Sequence, residues 1–366
     1  MMINRRWVCI CFLVVSMVAG AQGVKYSNEF MAIGVDARSM AMGGAVVGNV
    51  SNATAGYWNP AGLMHLSYGP ELALMHAEWF AGISKLDYAS VALPMNNQHK
   101  PGILGLSVIR FGVDDIQNTL HLVDADGSPN YDNISFFSAA DYGFVFSYAQ
   151  RFPGWPDLNI GANAKIIHRR LGSFATAWGL GVDAGAQYRK GSWRFGALAR
   201  DITTTFNAWF DRLTEEEREA LIRSGNELPE NSTEITLPRL IAGAGYLLEF
   251  NHQINLLAEV DVEVTTDGKR NALVRSDPFS IDPRAGLELG YHEIIFLRGG
   301  INLIQRKMIA GEKEEIFTFQ PNAGIGLKIG WIHVDYAFTG LAAISNEMYA
   351  HVVSLRLELD KPLSLF

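Results

Sequence analysis

The side chains of this chain that could do chemistry are few and scattered. His333 and Asp335 stand two apart in the run Ile332–Thr339, so on an extended strand both point to one face. That spacing suits a general-base pair, and equally an ion-pair partner in a polar interior. A base does nothing without a nucleophile and an orienting group. Neither G-x-S-x-G nor H-E-x-x-H occurs in the 366 residues, and the nine histidines are dispersed. Asp124-Ala125-Asp126-Gly127 has the opening of a calcium loop, near Asp114, Asp115, Asp132 and Asp141, but lacks the closing Glu. It reads as a solvated acidic loop. The expectation is a non-enzyme with no cofactor and no metal.

The elements that carry these residues start from an export signal. Arg5 and Arg6 form a positive region, Trp7 to Val18 is apolar, and Ala19-Gly20-Ala21 offers a cleavage site, so residues 1–21 are a predicted signal peptide. Both cysteines, Cys9 and Cys11, precede that site, which leaves no thiol chemistry behind it. Without Arg5 and Arg6 the basic residues number 30 − 2 = 28 against 38 acidic, a balance that excludes nucleic acid as a partner.

Most of the remaining chain alternates. In Gln253–Val264 the even positions from Ile254 to Val264 are apolar, and Asn255, Glu259, Asp261 and Glu263 lie between them. Phe317–Trp331 behaves alike, and so do Trp178–Tyr188, Ile281–Tyr291, Ile332–Thr339 and Tyr349–Leu359. Alternation over about ten residues, with Tyr142, Trp178, Tyr188, Trp193, Tyr246, Tyr291, Trp331 and Tyr349 near strand ends, is the pattern of membrane-spanning β-strands with an aromatic girdle. The predicted fold is an all-β antiparallel transmembrane barrel of about 14 strands over residues 71–366. Among its strands are Gly102–Phe111, Tyr142–Phe152, Trp193–Arg200 and Leu240–Phe250. Connections after even strands are short and those after odd strands long, near 112–141, 201–239, 265–280 and 304–316. Short turns face the periplasm in such barrels, so both termini are expected there.

Residues 22–70 break the alternation. Phe30–Leu66 is rich in Gly and Ala and ends in Trp58-Asn59-Pro60-Ala61-Gly62-Leu63. Small residues and turn formers ahead of a large sheet suit a plug packed inside it. Gly179, Gly181, Gly185, Gly286, Gly290, Gly324, Gly326 and Gly330 share the inward parity and are the expected wall for that plug.

The run Ile33–Ala45, with Ala37, Arg38, Gly43, Gly44 and Ala45, followed by Trp58, Asn59, Pro60, Ala61 and Gly62, resembles the N-terminal hatch of the PorV/PorQ family, outer-membrane barrels of the FadL superfamily. The resemblance implies the outer membrane of a Gram-negative bacterium and contact with its lipid. It implies a component of the type IX secretion system, partnered by secretion-system subunits or exported cargo. The alternative it leaves is a FadL-like transporter taking a hydrophobic ligand. That route needs an apolar pocket between hatch and wall, and the inward residues read as mostly Gly and polar, which favours the interaction protein.

The loop 201–239 is the candidate partner-binding piece. Phe206, Trp209 and Phe210 precede Thr214-Glu215-Glu216-Glu217, a capping box that should start a helix ending near Gly225.

Overall fold

The computed structural model describes residues 27–359, apart from 67–68, 81, 96–101, 125–126, 224–231, 267, 269–271, 309–314 and 341–348. The predicted signal peptide lies outside the described residues. Period-2 alternation has produced one antiparallel sheet closed on itself. Its strands are β1 (Glu71–Trp79), β2 (Ser84–Met95), β3 (Gly102–Asn118), β4 (Ser135–Arg151), β5 (Leu158–Leu171) and β6 (Ala175–Lys190). Then come β7 (Trp193–Arg200, continued by Thr205–Asp211) and β8 (Thr233–Thr236, continued by Arg239–Glu249). The circuit ends with β9 (Ile254–Thr265), β10 (Ser280–Tyr291), β11 (Ile295–Met308), β12 (Glu315–Ile329), β13 (Ile332–Thr339) and β14 (Ala350–Glu358). β14 pairs back onto β1 from Glu71↔Glu358 to Trp79↔Ala350, which closes a 14-strand barrel with no free edge.

The outward face carries the apolar set. Leu104, Phe146, Leu180, Val260, Leu287, Leu297, Ile325 and Val353 are each 44–66% exposed, a display only a bilayer tolerates over so many strands. No described helix is long and apolar enough to cross a membrane. Trp178, Trp193 and Tyr291 are exposed, and Trp193 packs edge-on against Tyr246 with ring centroids 4.8 Å apart.

Several strands run further towards the long loops than the alternation predicts. β3 continues to Asn118 and β4 begins at Ser135, past a register shift between Val113 and Ile116. β7 breaks at Asp201–Thr204, where both end residues hold positive φ, then resumes against β6. The aromatics expected on a docking loop are therefore strand residues. Phe206 and Phe210 face outward, about half exposed, whereas Trp209 faces the lumen under the Arg169 guanidinium, 5.0 Å from its ring centroid. This corrects the loop assignment. The side chains of Thr205 and Asn207 turn inward and bury completely, and that fixes the alternation of the three aromatics. The capping box forms: the Thr214 amide donates to Glu217 Oε2 at 2.7 Å, the Glu217 amide donates to Thr214 Oγ1 at 3.3 Å, and α-helix Glu215–Arg223 comes next.

Candidate functional site

Residues 27–66 lie against the inward side chains of the wall, and their packing follows from glycine on both sides. A Cβ on Gly286 would sit 2.5 Å from Met42 O, and one on Gly161 would sit 2.6 Å from Ala61 N. A Cβ on Gly185, Gly196 or Gly300 would fall on Asn59, Val47 or Met42. Of the glycines expected to make this wall, Gly185, Gly286 and Gly324 do so. Gly179, Gly181, Gly290 and Gly326 instead make room for Asn207, Thr205, Asn255 and Asp335 of neighbouring strands, and Gly330 is a turn residue at φ +61°. Gly143, Gly161, Gly196 and Gly300 are the wall glycines that alternation did not single out.

The motif residues hold the segment together. Asp36 caps the short helix Ala37–Ala41, accepting from the Ser39 amide. Gly43 and Gly44, both at positive φ, reverse the chain so that Ala45 and the residues after it run along the wall, with Ala37 and Ala45 fully buried. Trp58 Nε1–H donates to Val35 O at 3.0 Å and stacks edge-on to Tyr57. Asn59, fully buried, donates to Val47 O at 2.9 Å and Ala186 O at 3.0 Å while its Oδ1 accepts from the Ala61 amide. Pro60 starts the 3₁₀ turn Pro60–His65, which buries Ala61, Gly62 and Leu63. The segment was expected to enter from the short-turn end. Its first described residues lie instead at the long-loop end, where Ser27 donates to Glu234 and Asn28 to Thr236, and it leaves beside Asn159 at the short-turn end.

Two contrasting seams join this segment to the barrel. On β9–β14 the seam is ionic. Arg38 forks onto Glu288 at 2.7 and 2.9 Å, Arg298 bonds Glu288 at 2.6 Å, and Arg298 also reaches Asp335. Burial would lower the Arg38 guanidinium, but the Glu288 carboxylate outweighs it and holds Arg38 above its ordinary value. Asp261 accepts from the amides of Val46 and Val47 at 2.9 and 3.1 Å, and Glu259 from the Gly48 amide at 2.6 Å. On β1–β3 the seam is apolar. Met75, Trp79, Leu86, Tyr88, Ile103 and Ile109 face inward, buried with Phe30, Val35, Tyr57 and Trp58, and Phe111 packs on them. On these three strands it overturns the expectation, which holds on β5–β13, that the inward residues are mostly Gly and polar. Their parity was hidden because the outward residues of the same strands are not uniformly apolar.

His333 and Asp335 do share the inward face, as polar partners. Arg356 donates to His333 Nδ1 at 2.6 Å, so Nε2 carries the proton it gives to Glu358 at 2.8 Å. His333, Arg356 and Glu358 border a cavity of about 310 Å³ at the short-turn end, lined also by Arg38, Glu288, Arg298 and Lys328. No group of three or more metal-ligating side chains occurs among the described residues.

No family model matches the chain, and no curated protein does. Solved structures do. The toluene transporter TbuX of Ralstonia pickettii matches with a TM-score of 0.52 at 14% identity, over 88% of this chain and 98% of that one. The toluene transporter TodX of Pseudomonas putida matches with a TM-score of 0.54 at 13% identity, over 89% and 98%. At such identities the likeness is one of fold, and the 14-strand barrel is that shared fold.

Proposed function

We propose that this protein is a non-enzymatic outer-membrane barrel that passes hydrophobic small molecules, with the N-terminal segment as the part that moves. The observation that carries the reading is the apolar seam on β1–β3, in a barrel matched almost end to end by two toluene transporters. A solute without polar groups gains nothing from the ionic seam and everything from a path along Met75, Leu86, Tyr88 and Ile109. Short turns then face the periplasm and long loops the outside. The test is uptake of radiolabelled toluene by cells lacking the gene and by cells in which it is restored. Higher uptake on restoration supports the reading, and equal uptake overturns it.

A second reading is a PorV/PorQ-like component of type IX secretion, favoured by the Ile33–Ala45 and Trp58–Leu63 motifs and by the extent of the ionic seam. Pull-down of the tagged protein from native outer membrane tests it. Recovery of secretion-system subunits and exported cargo supports this reading. A copurifying hydrophobic molecule with no protein supports the first.

A further inference from the structure

The upper halves of β1–β3 are inside-out with respect to the rest of the barrel. Their inward residues are the apolar seam, and their outward residues are ionic. On β1 the outward series is Leu72, Leu74, His76, Glu78, and on β2 it runs from Met95 and Leu93 up through Val91 and Ala89 to Asp87 and Lys85. On β3 it is Leu104, Leu106, Val108, then Arg110. These charges pair along the outside: His76 Nδ1 lies 2.7 Å from Asp87, Arg110 3.2 Å from Asp87, and Lys85 3.4 Å from Asp114.

Height along the wall makes the contrast quantitative. A strand tilted as in such barrels climbs about 2.5 Å per residue, and the apolar band they present is about 25 Å tall. On β12 the outward series Ile329, Leu327, Ile325, Ala323, Pro321, Phe319, Phe317 stays apolar for twelve residues, roughly 30 Å, with all but Ala323 and Pro321 exposed. On β2 it ends at Ala89, six residues from Met95, at roughly 15 Å. β1 is nine residues long, and at its hairpin tip Phe80 and Ile83 are 39% and 65% exposed just above the charges. A hydrocarbon layer of even height would cover His76, Asp87 and Arg110, which pair at roughly 20 Å, in its upper part, where an Arg on a barrel face costs up to about 1 kcal/mol against about 2–4 at the midplane. Pinching the layer costs only a fraction of a kcal/mol per Å.

We infer that the polar lipid headgroups descend on this side to the level of Leu74, Ala89 and Val108, so that the wall of β1–β3 meets headgroups where the opposite wall meets acyl chains. Phe80 and Ile83 then sit in the interfacial layer. The inference rests on the outer-membrane placement under Proposed function, and it puts the apolar seam directly behind the thinnest part of the belt. Both cysteines lie ahead of the predicted cleavage site, so single cysteines can be labelled cleanly.

The experiment is spin labelling of the full chain reconstituted in bilayers, at Lys85→Cys and Ala89→Cys on β2 and at Phe319→Cys and Ala323→Cys on β12. Lys85 and Phe319 each lie ten residues above the short-turn end of their strand, and Ala89 and Ala323 six. Collision with a water-soluble nickel complex is expected to exceed collision with oxygen at 85, and the ratio should reverse at 319, with 89 and 323 both in the oxygen-rich layer. A label at 85 that reads like the one at 319 would overturn the inference while leaving the placement intact. Exclusion of both reagents at 85 would overturn it in favour of a protein cover. All four labels reading water would sink the outer-membrane placement itself.

Discussion

The two seams around the N-terminal segment hold the same piece of chain by opposite means. On β9–β14, Glu259, Asp261 and Glu288 grip it through directional, charge-assisted bonds, Glu288 through the segment's own Arg38. On β1–β3, contact is made by side chains such as Leu86, Tyr88 and Trp58 that any apolar body of similar shape could replace. Charge-assisted bonds fix register, and apolar contact scales with area and is non-directional. A gate hung on the ionic seam and opening at the apolar one would therefore move without losing its place.

The ionic seam should give the largest effect when half of one pair is removed. Arg38→Met leaves Glu288, whose side chain is only 11% exposed, facing Arg298 alone, and breaking a buried pair this way typically costs about 3–5 kcal/mol. The segment should then become protease-sensitive in a barrel that still shifts on heating in gels. Arg38→Met with Glu288→Met removes both charges and leaves Arg298 paired with Asp335, so protection should largely return. A single and double variant equally protected would mean that the ionic seam does not hold the segment.

At the apolar seam the expected loss is smaller and the functional gain larger. Leu86→Ala empties a fully buried site, costing about 3 kcal/mol if the surroundings do not collapse. The cavity so made lies on the proposed path, so toluene uptake should rise, while the ionic seam stays protected. Unchanged uptake with a normal folded amount would move the path elsewhere.

Neighbouring glycines on β11 give a matched pair. Gly300 faces the segment, and a Cβ there would fall on the Met42–Gly43 backbone, whereas a Cβ on Gly299 meets nothing nearer than 3.9 Å. Gly300→Ala should loosen the segment by about 1–3 kcal/mol, as overpacking does, and Gly299→Ala should be neutral. Protease protection of the two variants decides it.

Particular residues show where the sequence spoke and where it was silent. Ile254–Val264 and Phe317–Trp331 alternate cleanly because one face meets lipid and the other a polar interior, and the strand count followed from them. β1–β3 misled for the same reason inverted: with His76 and Asp87 outside and Met75 and Leu86 inside, alternation is present but its sense is reversed. That reversal is legible in Leu74-Met75-His76-Ala77-Glu78 only when each strand is asked which parity it uses. Phe206, Trp209 and Phe210 were misplaced because Asp201 and Thr204 adopt positive φ without being glycine, a break that residue type does not announce. In the segment itself, the turn residues were visible, but no local pattern gives the partner of Arg38, 250 positions away at Glu288.

The smallest expected effect is one of pH at the short-turn end. His65 closes the segment there, its Nε2 3.0 Å from Asn159 Nδ2. Burial first, then the charges of Arg189, Arg194 and Arg151, lower its imidazole from 6.5 to about 3. A released segment would carry His65 at its ordinary value, so it binds a proton that the docked segment refuses. Stability from this group is therefore complete above about pH 6.5 and is lost progressively as the pH falls towards 3. Acidifying from pH 7 to 4.5 should raise the mobility of a spin label attached beforehand to a cysteine placed at Ser51, which borders the same cavity. His65→Gln can still bond Asn159 but does not titrate, so its own contribution to the pH slope should vanish. A slope identical in wild type and His65→Gln would show that other groups govern acid release at this end. A slope abolished by the substitution would tie it to His65 and leave the Arg38–Glu288 grip unchanged across the same range.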